Sequence, residues 1–171
     1  MNLIDKIDVI EDFPKEGISF KDITTLLKDK EAFKEAVRAL AEPLKNEKID
    51  YIIAPEARGF VLGCPVAYEL GIGFIPIRKK GKLPRETICV SYDKEYGSDE
   101  LYMHKYDLNP GDRVAIIDDL LATGGTIKAT EELVKKSGAK VVKIGFLIEL
   151  TELKGREKLD SDVYSIVQYE L

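Results

Sequence analysis

One segment constrains the fold of this chain more than any other. Val114-Ala115-Ile116-Ile117 runs without a polar break into the adjacent acids Asp118-Asp119, and Leu120-Leu121-Ala122-Thr123 then leads to Gly124-Gly125-Thr126. A strand that is apolar at every position has both faces buried, which is the pattern of a parallel sheet covered by helices. Further strands are predicted at Tyr51–Ala54, at Phe74–Ile77 and at Val141–Ile148, with helices at Val61–Leu70 and Thr126–Ser137 between them. The alternation predicts an α/β fold, a central and mainly parallel sheet flanked by helices. Ligands of such sheets bind at the carboxyl ends of the strands. Pro76 cannot donate to a ladder, so its strand belongs at a sheet edge.

The remainder is read around this frame. Leu3, Ile7 and Ile10 predict an N-terminal helix, and Asp12–Ile18, which carries Pro14 and Gly17, an irregular segment. Phe33, Ala36, Val37, Leu40, Ala41 and Leu44 recur at helical spacing behind Asp29 as N-cap, and Pro43 should fray the end. A polar stretch over 79–98 is flanked by hairpin strands at Thr87–Tyr92 and Glu100–Lys105. There are no repeats or linker-like tracts, so residues 1–171 are expected to form one domain.

Charge and composition exclude several classes. A net charge of −5 argues against general affinity for nucleic acid or an anionic membrane. No apolar run is long enough to cross a bilayer, and Met1–Lys6 lacks a secretory leader, so a cytoplasmic protein is expected. Cys64 and Cys89 lack metal-ligand spacing and read as buried, reduced thiols. His104, the only histidine, has no partner at a catalytic spacing and reads as structural or exposed. Against the acidic total, Arg78, Lys79, Lys80, Lys82 and Arg85 place five cations in eight residues. These form either a solvated basic loop or a loop that meets a small, highly charged anion.

The junction after the central strand carries chemistry. Glycines let the backbone turn sharply so that N–H groups converge, and a helix N-terminus adds unpaired donors and partial positive charge. Thr123 and Thr126 add hydroxyl donors. This is a cradle for a phosphate monoester. Two acids beside it would repel bare phosphate, but they can accept hydrogen bonds from a sugar diol and favour positive charge on the sugar. A nucleoside triphosphatase would need a G-x-x-x-x-G-K-[ST] loop, which is absent. The bland alternative is a capped strand–turn–helix junction with surface acids.

The nine residues Asp118–Thr126 resemble the phosphoribosyl pyrophosphate signature of type I phosphoribosyltransferases, in the form carried by the adenine enzymes. The resemblance runs from about Phe13 to Lys158. It implies that family's fold, with a small N-terminal hood and a mobile hairpin loop. It also implies transfer of a phosphoribosyl group to adenine, giving AMP and pyrophosphate, for purine salvage. Asp118 and Asp119 would hold the ribose hydroxyls, and Ala122, Thr123, Gly124, Gly125 and Thr126 would wrap the 5′-phosphate. Glu56-Ala57-Arg58-Gly59-Phe60 resembles the pyrophosphate-binding turn, with Arg58 forking onto phosphate oxygens. Arg78, Lys79 and Lys82 resemble the start of the catalytic loop, where Lys79 joins Arg58 in stabilising the leaving group.

Glu95, in Glu95-Tyr96-Gly97, would manage the purine proton. Phe20 would stack on adenine, backbone groups near Lys21 would read its amino edge, and Leu150 would lie on the other side. Mg2+ is implied as cofactor, held mainly by substrate and water without direct protein ligands. A homodimer is implied as well. Glu16 stands where many relatives have proline, and Arg85 where relatives often have a smaller or neutral residue. Two alternatives remain open: an enzyme for hypoxanthine, guanine or xanthine, and a non-catalytic regulator of the same fold.

Overall fold

The computed structural model describes residues 1–94 and 96–170. The chain runs β1 (Asp8–Glu11), β2 (Ser19–Asp22), α1 (Thr24–Lys28), α2 (Lys30–Ala41), β3 (Tyr51–Pro55), α3 (Arg58–Leu70), β4 (Gly73–Ile77), β5 (Thr87–Asp93), β6 (Ser98–His104), β7 (Arg113–Leu121), α4 (Gly125–Lys136), β8 (Lys140–Leu150) and β9 (Asp162–Tyr169). Five strands form the central sheet in the order β4-β3-β7-β8-β9, all parallel. β7 is its middle strand, and Val114 through Ile117 are fully buried. Alternate residues of that run serve opposite layers. Ala115 and Ile117 pack with α2 and α3, while Val114 and Ile116 pack with α4 and the β5–β6 hairpin. The central strand therefore has no polar position to spare until both layers end.

Local signals explain the boundaries. The Asp29 carboxylate accepts hydrogen bonds from the N–H groups of Glu31 and Ala32, capping α2. The helix stops at Ala41, where Pro43 lies in a short 3-10 turn. Gly71, at φ 71°, ends α3 in the left-handed conformation. β4 lies at the sheet edge, as Pro76 requires.

Several expectations are corrected. The N-terminal helix is a four-residue 3-10 turn, Leu3–Lys6, followed by β1 paired antiparallel with β2. Leu3 and Ile7 are buried as a helix would have them, but Ile10 stays 40% exposed because the chain has by then entered the hairpin. β7 continues past its acids to Leu121, since Leu120 and Leu121 stay paired with Ile148 and Glu149 of β8. β9 escaped the sequence pattern because only Val167 along it is buried, so no clear period shows. Cys64 is exposed rather than buried, lying off the Leu62–Gly63–Val66–Ala67 stripe that α3 turns to the core, and Cys89 is half-buried. His104 is buried, with Nδ1 2.9 Å from an Arg85 nitrogen and 3.4 Å from Asp107.

The outer strand is tied across the layers by one bond. The Tyr164 hydroxyl of β9 donates to the Leu40 carbonyl of α2 at 2.6 Å, and burial pushes its phenol far above the ordinary range. Tyr164→Phe should cost about 1–2 kcal/mol, because it removes the bond and leaves the carbonyl without this donor. A urea titration should show a lower midpoint with an unchanged slope; an unmoved midpoint would contradict this account.

Candidate active site

Asp118, Asp119 and Ala122 to Thr126 meet in one cavity of about 900 Å³, lined by residues 55–58, 92–94, 118–127 and Lys158. It lies at the carboxyl ends of β3 and β7, where strand order places a ligand site. Asp118 and Asp119 are successive residues of one strand, so their side chains leave on opposite sides of the backbone. The Asp118 carboxylate accepts the Asp119 N–H at 2.8 Å. It lies against the first turn of α3, where a Cβ on Gly59 would come within 2.9 Å of its Oδ1. Burial, and next the Asp119 carboxylate, push Asp118 well above the usual carboxylate range. Asp119 is buried and meets the Arg58 Nε at 3.0 Å.

The cradle forms at the start of α4. Gly124 has φ 91° and caps the helix without a side-chain hydrogen bond. The first-turn amides are thus left with no cap, open to an anion. Gly124 is required twice over, by its positive φ and by Gly155, whose carbonyl oxygen would stand 2.8 Å from a Cβ there. Tyr92 covers the opposite side, with its hydroxyl 3.4 Å from Thr126 Oγ1.

Among the described residues, Arg78, Lys79, Lys82, Phe20, Lys21 and Leu150 do not line this cavity. Arg78 Nε meets Glu56 Oε1 at 3.2 Å, and the Lys79 N–H donates to the same oxygen at 2.7 Å. Glu56, itself in the cavity wall, thereby anchors the start of the cationic loop. Lys79 Nζ is 3.6 Å from Asp99, which it shares with Lys94 at 2.8 Å. Lys82 is exposed beyond them. Phe20 of β2 lies 5.7 Å from the Arg58 guanidinium, which covers its ring, and Phe13 packs edge-on at 5.2 Å. Arg58 therefore joins the β1–β2 hairpin to the acid pair. Lys21 is buried, its Nζ donating to Ser19 Oγ at 2.7 Å and covering the Tyr169 ring at 4.8 Å. Leu150 pairs with Tyr169 at the end of β8. Glu95 lies outside the described residues.

Sequence reasoning missed Tyr92, Asp93, Lys94, Ile127 and Lys158 as cavity walls. Tyr92 to Lys94 precede the glutamate segment and could have been found from it. Lys158 carried no local signal: it lies far from the cradle in sequence and arrives through a short 3-10 turn, Gly155–Lys158.

Comparison with known proteins gives the family. The phosphoribosyl transferase domain family matches residues 24–170. An adenine phosphoribosyltransferase of Clostridium tetani is 59% identical over the whole of both chains. The crystal structure of adenine phosphoribosyltransferase from Thermoanaerobacter pseudethanolicus superposes with a TM-score of 0.94 at 53% identity, covering 98% of each chain. The Saccharomyces cerevisiae enzyme, complexed with an imino-altritol bisphosphate and adenine, has a TM-score of 0.92 at 40% identity, over 96% of each chain.

The raised Asp118 affinity for a proton sets a pH dependence. Folding raises its affinity for a proton, so its contribution to stability is present below the unfolded value of about 4 and is lost as pH rises through the higher folded value. Asp118→Asn keeps an acceptor for the Asp119 N–H and removes the charge. The variant should melt above the parent at pH 8, and the gap should close towards pH 4, read by thermal unfolding. A variant that melts lower at pH 8 would refute the account of a penalised charge.

Proposed function

The chain belongs to the phosphoribosyl transferase family, and on that footing we propose that it transfers the 5-phosphoribosyl group of phosphoribosyl pyrophosphate to adenine, giving AMP and pyrophosphate. One observation carries this reading: an uncapped helix N-terminus behind Gly124 and two adjacent carboxylates open into the same cavity. Relatives named for adenine, one of them solved in complex with adenine, support the choice of base.

In this reading the α4 amides grip the 5′-phosphate, and Asp118 and Asp119 accept hydrogen bonds from the ribose hydroxyls. The glycosidic C–N bond forms as the C–O bond to pyrophosphate breaks, and the carboxylates favour the cationic sugar between. Arg58, Arg78, Lys79 and Lys82 supply charge for the departing pyrophosphate. Glu95 takes the purine proton. Phe20, the backbone at Lys21 and Leu150 form the adenine hood. Holding both substrates together supplies much of the acceleration.

Among the described residues no three His, Cys, Asp or Glu side chains converge as a metal site. The pair of carboxylates in the cavity fits Mg2+ held mainly by substrate oxygens and water, since this ion dehydrates reluctantly. Bound so, it would neutralise charge on the leaving group. The reading extends to a single functional unit over 1–171, a homodimer and a cytoplasmic setting; no helix of the described residues is long and apolar enough to cross a membrane.

Pyrophosphate release should be measured with adenine, hypoxanthine, guanine and xanthine, with and without magnesium. Adenine should exceed the others by about 100-fold or more, in line with polar recognition of a base edge. Replacing both Asp118 and Asp119 by Ala should lower turnover at least about 100-fold, and Glu95→Gln should lower it by a similar factor. Full activity in the double variant would end the proposal.

A further inference from the structure

Three cations line the cavity: Arg58, Lys94 and Lys158. Arg58 is paired with Asp119 and Lys94 with Asp99. Among the described residues Lys158 alone of the three has no carboxylate partner. Its backbone, in contrast, is firmly held. The turn that carries it begins at Gly155, which is buried against the cradle so closely that a Cβ would stand 2.5 Å from the Ala122 carbonyl. Arg156, next in the turn, donates to both oxygens of the buried Glu149 of β8 and to the Val163 carbonyl.

After Lys158 the chain is tied to the helix whose N-terminus forms the cradle. Lys128, Glu131 and Lys135 lie on one face of α4 at i, i+3 and i+7 spacing. Glu131 is fully buried and accepts from the N–H groups of Asp160 and Ser161 and from the Ser161 hydroxyl. Lys128 and Lys135 both pair with Asp160, drawing its carboxyl down to about 2. A charged group buried with this many partners is costly to form and fixes geometry once formed. Both flanks of Lys158 are thus held, one on the sheet and one on α4, while Lys158 itself, with no carboxylate partner among the described residues, lines the cavity beside the α4 N-terminus.

We propose that Lys158 is a substrate-binding residue: its ammonium is the charged ligand of the ribosyl phosphate that the α4 amides grip. The inference rests on the ribosyl-phosphate reading of the cavity. The amides supply directed donors and only partial charge, so a full cation is what a phosphate dianion there still lacks. The Gly155–Lys158 turn serves as its mount.

The test compares AMP and adenosine, which differ only in the phosphate, by calorimetric titration of the full chain and of Lys158→Met and Lys158→Arg. Lys158 is exposed, so neither variant should lose the fold, which melting curves check. Lys158→Met should weaken AMP about tenfold or more and leave adenosine within about twofold; Lys158→Arg should restore AMP to within about threefold. AMP binding within about twofold of the parent would overturn the assignment. So would an equal loss for AMP and adenosine, which would mark a structural role. Turnover of phosphoribosyl pyrophosphate by the parent chain separates the two levels. If the parent neither binds AMP nor turns over, the reading of the cavity itself falls; if it does both and Lys158→Met matches it, only the lysine's role falls.

Discussion

The structure is organised around the cost of ending an all-apolar strand in two adjacent carboxylates. Asp118 is forced upward in proton affinity by burial, and Asp119 is kept in the cavity wall only with Arg58 against it. A domain whose net stability is of order 10 kcal/mol does not keep such a pair without compensation nearby. The compensation here is local: the backbone N–H between the two acids, the guanidinium from the start of α3, and the open amides of α4 a few residues on. Acid pair and helix N-terminus are complementary in sign, so in the proposed reading one ligand carrying both hydroxyls and phosphate satisfies both at once.

That arrangement makes α4 the element with most to do. Its N-terminus is the cradle, its apolar face completes one of the two core layers, and its charged face anchors the segment after β8. Arg58 has a comparable position at the start of α3, where it touches both the acid pair and the aromatic ring of the N-terminal hairpin. The cavity walls therefore come from distant parts of the chain, but few side chains connect them.

The sheet's core strands and the edge place of β4 were legible in the chain, because β3, β7 and β8 must be apolar on both faces and Pro76 tells against an interior place. The acid pair and glycine turn were legible for the same reason, since such residues at the end of a core strand serve no packing purpose. What could not be read depends on contacts remote in sequence. β9 is only half-buried and shows no period, and β1 exists only because β2 lies opposite it. Lys158 is one exposed lysine among many until Gly155 is seen packed against Ala122 and Gly124. Cys64 failed for a different reason: an apolar neighbourhood in sequence does not say which side of a helix a residue takes.

The meeting of Gly124 and Gly155 has a consequence for how such a chain can vary. Each lacks a side chain because the other's backbone, or that of Ala122, already fills the space. A methyl group at either position would prise two remote loops apart, and no second change at the other could make room, since glycine is already the smallest choice. Drift at these two sites is therefore blocked jointly, and the region beyond β8 inherits a restriction that originates in the loop it supports rather than in its own folding.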